Sequence, residues 1–191
     1  MKQSFALWVL MAILLPPQAT FADDYADTIE IFKNAGQSGA FFANSYGYAV
    51  FPTIGKGGLG VGGAHGSGRV FEQGKYVGDT KMNQVTVGLQ AGGQAFSQIV
   101  FFQDKRAFDE FTSGRFELGA TAQATVISAS ASGSAGSGGS SAGVSGGKKD
   151  AATAGRYDKG VVVFAVAKGG LMLEASVGGQ KFSYKPLAAR S

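Results

Sequence analysis

The chain has 191 residues, among them 31 glycines, one histidine and no cysteine, and its formal net charge is +4. This length suits one domain with a moderate core, and so much glycine disfavours a helical bundle or a coiled coil. The lack of cysteine excludes a disulfide framework, a thiol nucleophile, a thiolate zinc site and a lipoprotein anchor. A single histidine excludes a multi-histidine metal site. We therefore expect a small, mostly β protein with little catalytic equipment.

The first 22 residues are organised like a secretory signal peptide. Lys2 supplies a positive charge, and residues 5–15 form an unbroken apolar run that two prolines end. The run is shorter than the roughly 20 residues that a membrane-spanning helix needs, so a signal cleaved after Ala22 is favoured over an uncleaved anchor helix. We predict an exported protein, periplasmic or peripheral at a membrane, with a single domain over residues 23–191.

Two segments of the mature chain have a helical pattern. Residues 23–45 begin with acidic side chains that suit the positive end of a helix dipole. Two internal glycines weaken this segment, so one bent helix and two short helices fit it equally well. A further short helix is predicted over residues 104–112, capped by Asp104, with Phe108 and Phe111 facing a sheet.

Most of the remaining chain has a strand pattern interrupted by glycine. Glycines inside strands are typical of bulges, strong curvature or close backbone approach. The predicted fold class is α+β, predominantly antiparallel β, with a strongly curved sheet or barrel-like core that carries the helices. We expect a first strand that Pro52 stops, a turn at Gln73–Gly74, and strands over 85–91, 99–102, 116–127, 161–167, 171–177 and 180–184.

Two further segments stand out by composition. Residues 128–147 contain only Ser, Gly, Ala and one Val, and because such a segment cannot form a packed core we expect a flexible loop there. The letters Lys-Gly-Gly-Leu occur at 56–59 and again at 168–171. We interpret the two copies as equivalent hairpin turns with a lysine at the rim.

Two motif matches and one lone histidine give no support for an active site. Residues 58–63 match the dinucleotide-binding glycine fingerprint, but a strand follows them where the motif needs a helix. Residues 143–147 match a nucleophile elbow but lie within the Ser/Gly segment. His65 has no acidic residue close in sequence to orient its ring, which favours a surface or turn histidine. We predict a protein without enzymatic activity, without a cofactor and without a metal.

A set of glycine-rich landmarks indicates a family. The run from Tyr46 to Arg69 reads YGYAVFPTIGKGGLGVGGAHGSGR. Further landmarks follow in order at 87–93, 108–111, 116–119, 157–161 and 169–175. Together they resemble the SYLF domain, also called the Ysc84 actin-binding or DUF500 family, over essentially the whole mature chain and most closely in its secreted bacterial branch.

The resemblance implies a lipid-binding module without catalytic activity. Eukaryotic members bind phosphoinositide membranes, and fungal members also bind actin; neither ligand is expected in a bacterial periplasm. This chain departs from the eukaryotic pattern in two places. Residues 23–45, which match a basic membrane-binding helix, are acidic, and residues 76–79 replace a Trp-Ser-x-Pro-like element.

We therefore expect the ligand to be an anionic phospholipid or membrane surface, with basic side chains at the headgroups and apolar side chains in the acyl region. Nucleic acid is not expected as a partner. Two alternatives stay open: a structural or interaction protein that contacts another envelope protein, and, less favoured, an outer-membrane β-barrel. The expected lipid-binding residues are Lys56, Arg69, Lys81 and Lys168.

Overall fold

The structure, a computed structural model, describes residues 21–35, 38–119, 125–126 and 156–188. The predicted signal peptide lies outside these residues except for its last two positions, and the Ser/Gly segment at 128–147 lies wholly outside them. Within the described ranges, no helix combines the length and the hydropathy needed to cross a bilayer.

Three very long strands form most of the fold. They pair antiparallel in the order β1-β2-β5, and two short strands pair with β5. The turn between the first two strands is Gln73–Gly74, with φ of 48° and 80°, the left-handed pair of a two-residue hairpin turn; the predicted turn is confirmed. The strands are β1 (Gly47–Glu72), β2 (Lys75–Phe102), β3 (Glu117–Leu118), β4 (Thr125–Val126) and β5 (Val161–Pro186).

The N-terminal segment forms two short helices, which is one of the two arrangements expected. Asp104 caps the third helix as predicted: its carboxylate Oδ1 accepts a hydrogen bond from the Ala107 N–H at 2.9 Å. The helix continues into a π-helical turn that contains Gly114 with φ of 79°. The helices are α1 (Phe21–Asn34), α2 (Phe41–Asn44) and α3 (Lys105–Glu110), followed by the π-helical turn Phe111–Arg115.

The strands run further than the sequence pattern indicated. β1 continues through Pro52, so the predicted stop there is wrong. Proline is tolerated because β1 is an edge strand and its register shifts between Phe51 and Ile54. The three strands predicted over 161–184 are one strand. Of the strand predicted over 116–127, the described residues include β3 and β4, and residues 120–124 and 127 lie outside the described part of the chain.

Each long strand bends sharply near its middle, and β1 folds back onto itself there. Gly60 has φ of 71° at the turning point. A Cβ on Gly58 would lie 2.4 Å from the Gly62 Cα, and a Cβ on Gly68 would lie 2.6 Å from the Phe51 ring. Glycine is therefore required because one half of the strand touches the other.

This bend divides the sheet into three parts that are used below. β2 follows β1 around the turn by placing residues 88–90 opposite Gly60 alone. The proximal arm contains the first part of β1 and the residues of β2 and β5 that pair alongside it, and the distal arm contains the last part of β1 and its neighbours. The proximal arm is 47–56, 94–102 and 161–170; the bend is 57–61, 87–93 and 171–177; the distal arm is 62–72, 75–86 and 178–186.

The hydrophobic core occupies both faces of the proximal arm. Between the arms, the rings of Phe51 and Phe182 lie 5.7 Å apart, and Phe111 of the π-helical turn packs 4.6 Å from Phe102. On the opposite face, α1 and α2 cover a second cluster that includes the fully buried Phe32. The fold is thus α+β, a strongly curled half-barrel of mostly antiparallel strands with short helices, as predicted.

Candidate functional site

Large apolar side chains are exposed at the bend. Of the six exposed large hydrophobic residues in the described part of the chain, three lie in the bend and a fourth, Val85, lies next to it: Leu59 is 83% exposed, Val61 63%, Val85 66% and Val87 60%. Val61 pairs directly with Val87, and Val85 follows on the same face of β2 because strand side chains alternate. We call these four residues the apolar tip.

The local sequence explains why the apolar tip is uncovered. From 57 to 63, β1 reads Gly-Gly-Leu-Gly-Val-Gly-Gly, and β2 has glycine at 88, 92 and 93. Glycine permits the sharp reversal but offers no side chain to cover its neighbours. Single exposed hydrophobic residues are common on proteins, whereas a cluster of them indicates an interaction surface.

Lysines lie further along the same outer face, on the distal arm. The side chains of Lys81, Lys181 and Lys185 are exposed. Lys81 pairs with Ser183, so the alternation of β5 places Lys181 and Lys185 on the face of Lys81. Lys181 forms an ion pair with Glu117 at 2.9 Å, and because both side chains are well exposed this pair contributes little stability.

A small cavity lies beside Lys181 and one residue of the apolar tip. It has a volume of about 290 Å³ and lies where the distal arm meets β3. Its lining includes Val85 of the apolar tip together with Leu118, Gln180 and Lys181. Val85 and the Lys181–Glu117 ion pair therefore lie at one place on the surface.

The interior between the arms is closed by amides on the side of the bend. Gln98 is fully buried, and its side chain exchanges hydrogen bonds with that of Gln180 at 3.2 and 3.3 Å. Gln180 Nε2 also donates to Gln84 Oε1 at 3.4 Å. Paired amides satisfy one another in such a buried place.

Of the predicted lipid-binding residues, Arg69 and Lys168 make contacts within the fold. The Arg69 guanidinium lies between two aromatic rings, 4.3 Å from the centroid of Tyr25 and 4.9 Å from that of Tyr76. It thereby ties α1 to the β1–β2 hairpin. Lys168 Nζ donates to the Pro52 carbonyl at 3.1 Å and to the Thr53 hydroxyl at 3.0 Å, across the bulge in β1.

The other two predicted residues lie on different arms. Lys81 is exposed on the distal arm, whereas Lys56 is half-buried on the proximal arm next to the bend. The four predicted residues do not form one cluster. The interpretation of residues 56–59 and 168–171 as equivalent hairpin turns is wrong, because both segments lie inside strands.

Sequence reasoning missed Lys181, Lys185 and the apolar tip as parts of one surface. The alternation Lys181-x-Ser183-x-Lys185 is a signal that places both lysines on one face of a strand. That face could not be matched to the face of Val85 and Val87 without the register between β2 and β5.

The Arg69 contact belongs to a small polar network at the end of the distal arm. The Tyr76 hydroxyl donates to Asp79 Oδ1 at 2.6 Å. Burial, together with this hydrogen bond, raises the pKa of Tyr76 to about 12, and burial also raises the pKa of Tyr25. Both phenols stay neutral over the physiological range, so the network is a fixed connection and does not titrate there.

His65 occupies a surface position, as the sequence favoured. Its Nδ1 lies 2.8 Å from Asn83 Oδ1 on the neighbouring strand, and both side chains are exposed. Over the described residues, His, Asp and Glu side chains form no group that could hold a metal ion. Residues 58–63, which match the dinucleotide fingerprint, run along β1 with no helix after them.

Comparisons with known proteins find a matching family model and a similar curated protein. The family model Ysc84, described as "Las17-binding protein actin regulator", matches residues 83–188. Beta cell expansion factor A from Aeromonas veronii is 30% identical over 163 residues, which cover 82% of this chain and 53% of that protein. The chain thus spans about half the length of this relative. No solved structure is significantly similar to the chain.

Proposed function

The chain belongs to the Ysc84 (SYLF) family, which is linked to lipid or actin binding and is not known for catalysis, and on that premise we propose that it is a non-enzymatic module that binds anionic phospholipid surfaces. One observation carries this proposal: the apolar tip and the exposed lysines of the distal arm share one uncovered sheet face. Peripheral membrane proteins need both kinds of group for stable binding.

The magnitudes support a reversible membrane contact. A lysine near an anionic surface contributes about 1 kcal/mol, so Lys81 and Lys181 together supply at most about 2 kcal/mol, and Glu117 beside Lys181 reduces this sum. Lys185 adds little net charge because it lies opposite Asp79. Burial of apolar surface adds about 25 cal/mol for each Å² removed from water. The two contributions add, which favours reversible binding to a surface that offers both anionic headgroups and acyl chains.

The proposal extends to where the protein acts. Residues 1–22 have the organisation of a secretory signal peptide. We place the protein in the bacterial envelope, in the periplasm and peripheral at a membrane, so that its lipid surface is an envelope membrane.

Charge neutralisation on the distal arm tests the proposal. The double variant Lys81→Gln/Lys181→Gln should bind vesicles of phosphatidylcholine with phosphatidylglycerol up to about 30-fold more weakly than the wild type, because two lysines are lost from the surface. The matched control is Lys33→Gln/Lys105→Gln, which removes the same charge from α1 and α3 and should bind like the wild type.

Co-sedimentation measures both affinities. Binding of the wild type to neither anionic nor zwitterionic vesicles would refute the proposed function. Equal losses in the two double variants would show that overall charge, and not this face, determines binding. Pelleting with filamentous actin but not with vesicles would favour the actin-binding side of the family instead.

A further inference from the structure

We propose that the bend of the sheet inserts into the bilayer: the apolar tip enters the boundary of the acyl region, Lys181 stays at the level of the headgroups and Lys81 lies just outside them. This inference rests on the proposed function and adds the orientation and depth of the bound protein. It assigns the contact to the bend and not to the N-terminal helices.

The first argument is the shape of the bend. β1 reverses its direction at Gly60, so Leu59 and Val61 lie at the outermost point of the folded strand. Val87 stands opposite Val61 and adds to the same projection. A projecting point that carries apolar side chains suits a deformable lipid phase, which closes around it, whereas a flat or hollow apolar face would suit another protein.

The second argument is the spacing of apolar and charged groups along the strands. Lys181 lies four residues from Val177, the strand partner of Val87, and this distance is about 13 Å along β5. An interfacial element buries its apolar face about 5–10 Å into the headgroup and acyl boundary. If Val87 lies at that depth, Lys181 reaches the headgroup level.

Lys81 lies further out. It is six residues from Val87, about 20 Å along β2. At this position it stands close outside the headgroups, where its charge still acts across a Debye length of about 8–10 Å. The apolar tip, Lys181 and Lys81 thus follow the order of a bilayer surface from the acyl boundary to water.

The backbone limits the depth of insertion. Among the described strands, β1 lies at the edge of the sheet, so no neighbouring strand pairs with its outward side. Unpaired backbone groups cost several kcal/mol each in the hydrocarbon region, on the order of what a buried aliphatic side chain contributes. The bend should therefore insert its side chains only, and its strands should not cross the bilayer.

A second copy of the chain is a poorer occupant of the apolar tip. Four partly exposed aliphatic side chains offer on the order of 400 Å² of apolar surface. A stable protein interface buries roughly 800 Å² on each partner. The lysines beside the tip would also approach each other in a symmetric pair, whereas they are attracted to anionic headgroups.

A tryptophan placed at the bend tests the inference. The sequence has one tryptophan, Trp8, so the full chain with Trp8→Phe provides a background without this fluorophore. In that background, Val87→Trp should show a blue-shifted emission on phosphatidylcholine–phosphatidylglycerol vesicles and strong quenching by brominated acyl chains. Ile31→Trp, on an exposed position of α1, should show neither.

A second variant measures how much the apolar tip contributes to the free energy of vesicle binding. Leu59→Asp should weaken binding to the same vesicles by about tenfold or more, because the most exposed apolar side chain of the tip is replaced by an anion. Ile31→Asp is the matched control and should bind like the wild type. Circular dichroism and urea unfolding establish that both variants are folded.

The outcomes separate this inference from the proposed function. Binding without quenching at position 87, or equal quenching at 31 and 87, overturns insertion by the bend and leaves lipid binding intact. Absence of binding by the wild type overturns both. A change in oligomeric mass upon Leu59→Asp, without a change in lipid binding, would assign the tip to contacts between copies and also overturn the inference.

Discussion

Gly68→Ala should destabilise the protein, because the two halves of β1 touch at this residue. An added Cβ would lie 2.6 Å from Phe51 Cδ1, 2.7 Å from Phe51 Cε1 and 2.7 Å from the Val50 carbonyl oxygen. Carbon atoms pack at about 3.5–4.0 Å. Phe51 is fully buried against Phe182, so its ring cannot turn away without displacing other core side chains.

The size of the effect follows from two opposing contributions. Overpacking of a well-filled core costs about 1–3 kcal/mol. Replacing a strand glycine with alanine returns at most about 1 kcal/mol, because the unfolded chain loses conformational freedom. The net loss should be about 1–2 kcal/mol, and each kcal/mol lowers the Tm of a domain of this size by about 2–4 °C.

Urea unfolding of Gly68→Ala and Gly55→Ala is the appropriate comparison. Gly55 lies in the same strand, but no atom lies within 4 Å of a Cβ added there, so this variant should be as stable as the wild type or slightly more stable. Equal stability of the two variants would refute the reasoning. It would mean that the arms do not close on each other and that the bend does not project the apolar tip.

Three further substitutions separate structural from membrane roles. Arg69→Ala should free α1 from the hairpin at a cost of about 0.5–2 kcal/mol, measured as faster hydrogen exchange confined to α1; exchange like that of the wild type would contradict this. Lys168→Met should lower the unfolding free energy by about 1–2 kcal/mol without changing vesicle affinity. Lys81→Gln should weaken vesicle binding without changing the unfolding free energy, and the opposite result for the two variants would contradict these assignments. The pKa of Tyr76 is raised from about 10 to about 12 in the fold, so its contribution to stability is complete below pH 10 and is lost as the pH rises toward 12. Tyr76→Phe should flatten that alkaline loss in urea midpoints, and an unchanged slope would contradict the assignment.

Local chemistry allowed part of the fold to be predicted from sequence. The hairpin turn at Gln73–Gly74 and the cap at Asp104 depend on neighbouring residues only, and both are confirmed. The stop at Pro52 was wrong because tolerance of proline depends on the position of its strand in the sheet, which is a tertiary property. The single long β5 was predicted as three strands for a similar reason, because a glycine that curves a strand and a glycine that ends one look the same in the sequence.

The candidate site was predictable only in its residue types. Basic side chains near glycine-rich strands were expected, but the roles of Arg69 and Lys168 depend on partners distant in sequence: Tyr25 for the first, and Pro52, 116 residues away, for the second. The exposed face of Val85 and Val87 depends in turn on how the helices are distributed. They cover the proximal arm and leave the outer face at the bend bare, and no pattern within either strand encodes this.

Flotation of the wild-type full chain with vesicles is the most direct test of the central claim, which is that this module binds anionic lipid surfaces. The account predicts that the protein floats with phosphatidylcholine–phosphatidylglycerol vesicles, that added salt weakens this binding, and that little protein floats with phosphatidylcholine alone. Protein that stays at the bottom of the gradient with both vesicle types, or that floats equally with both, would contradict it.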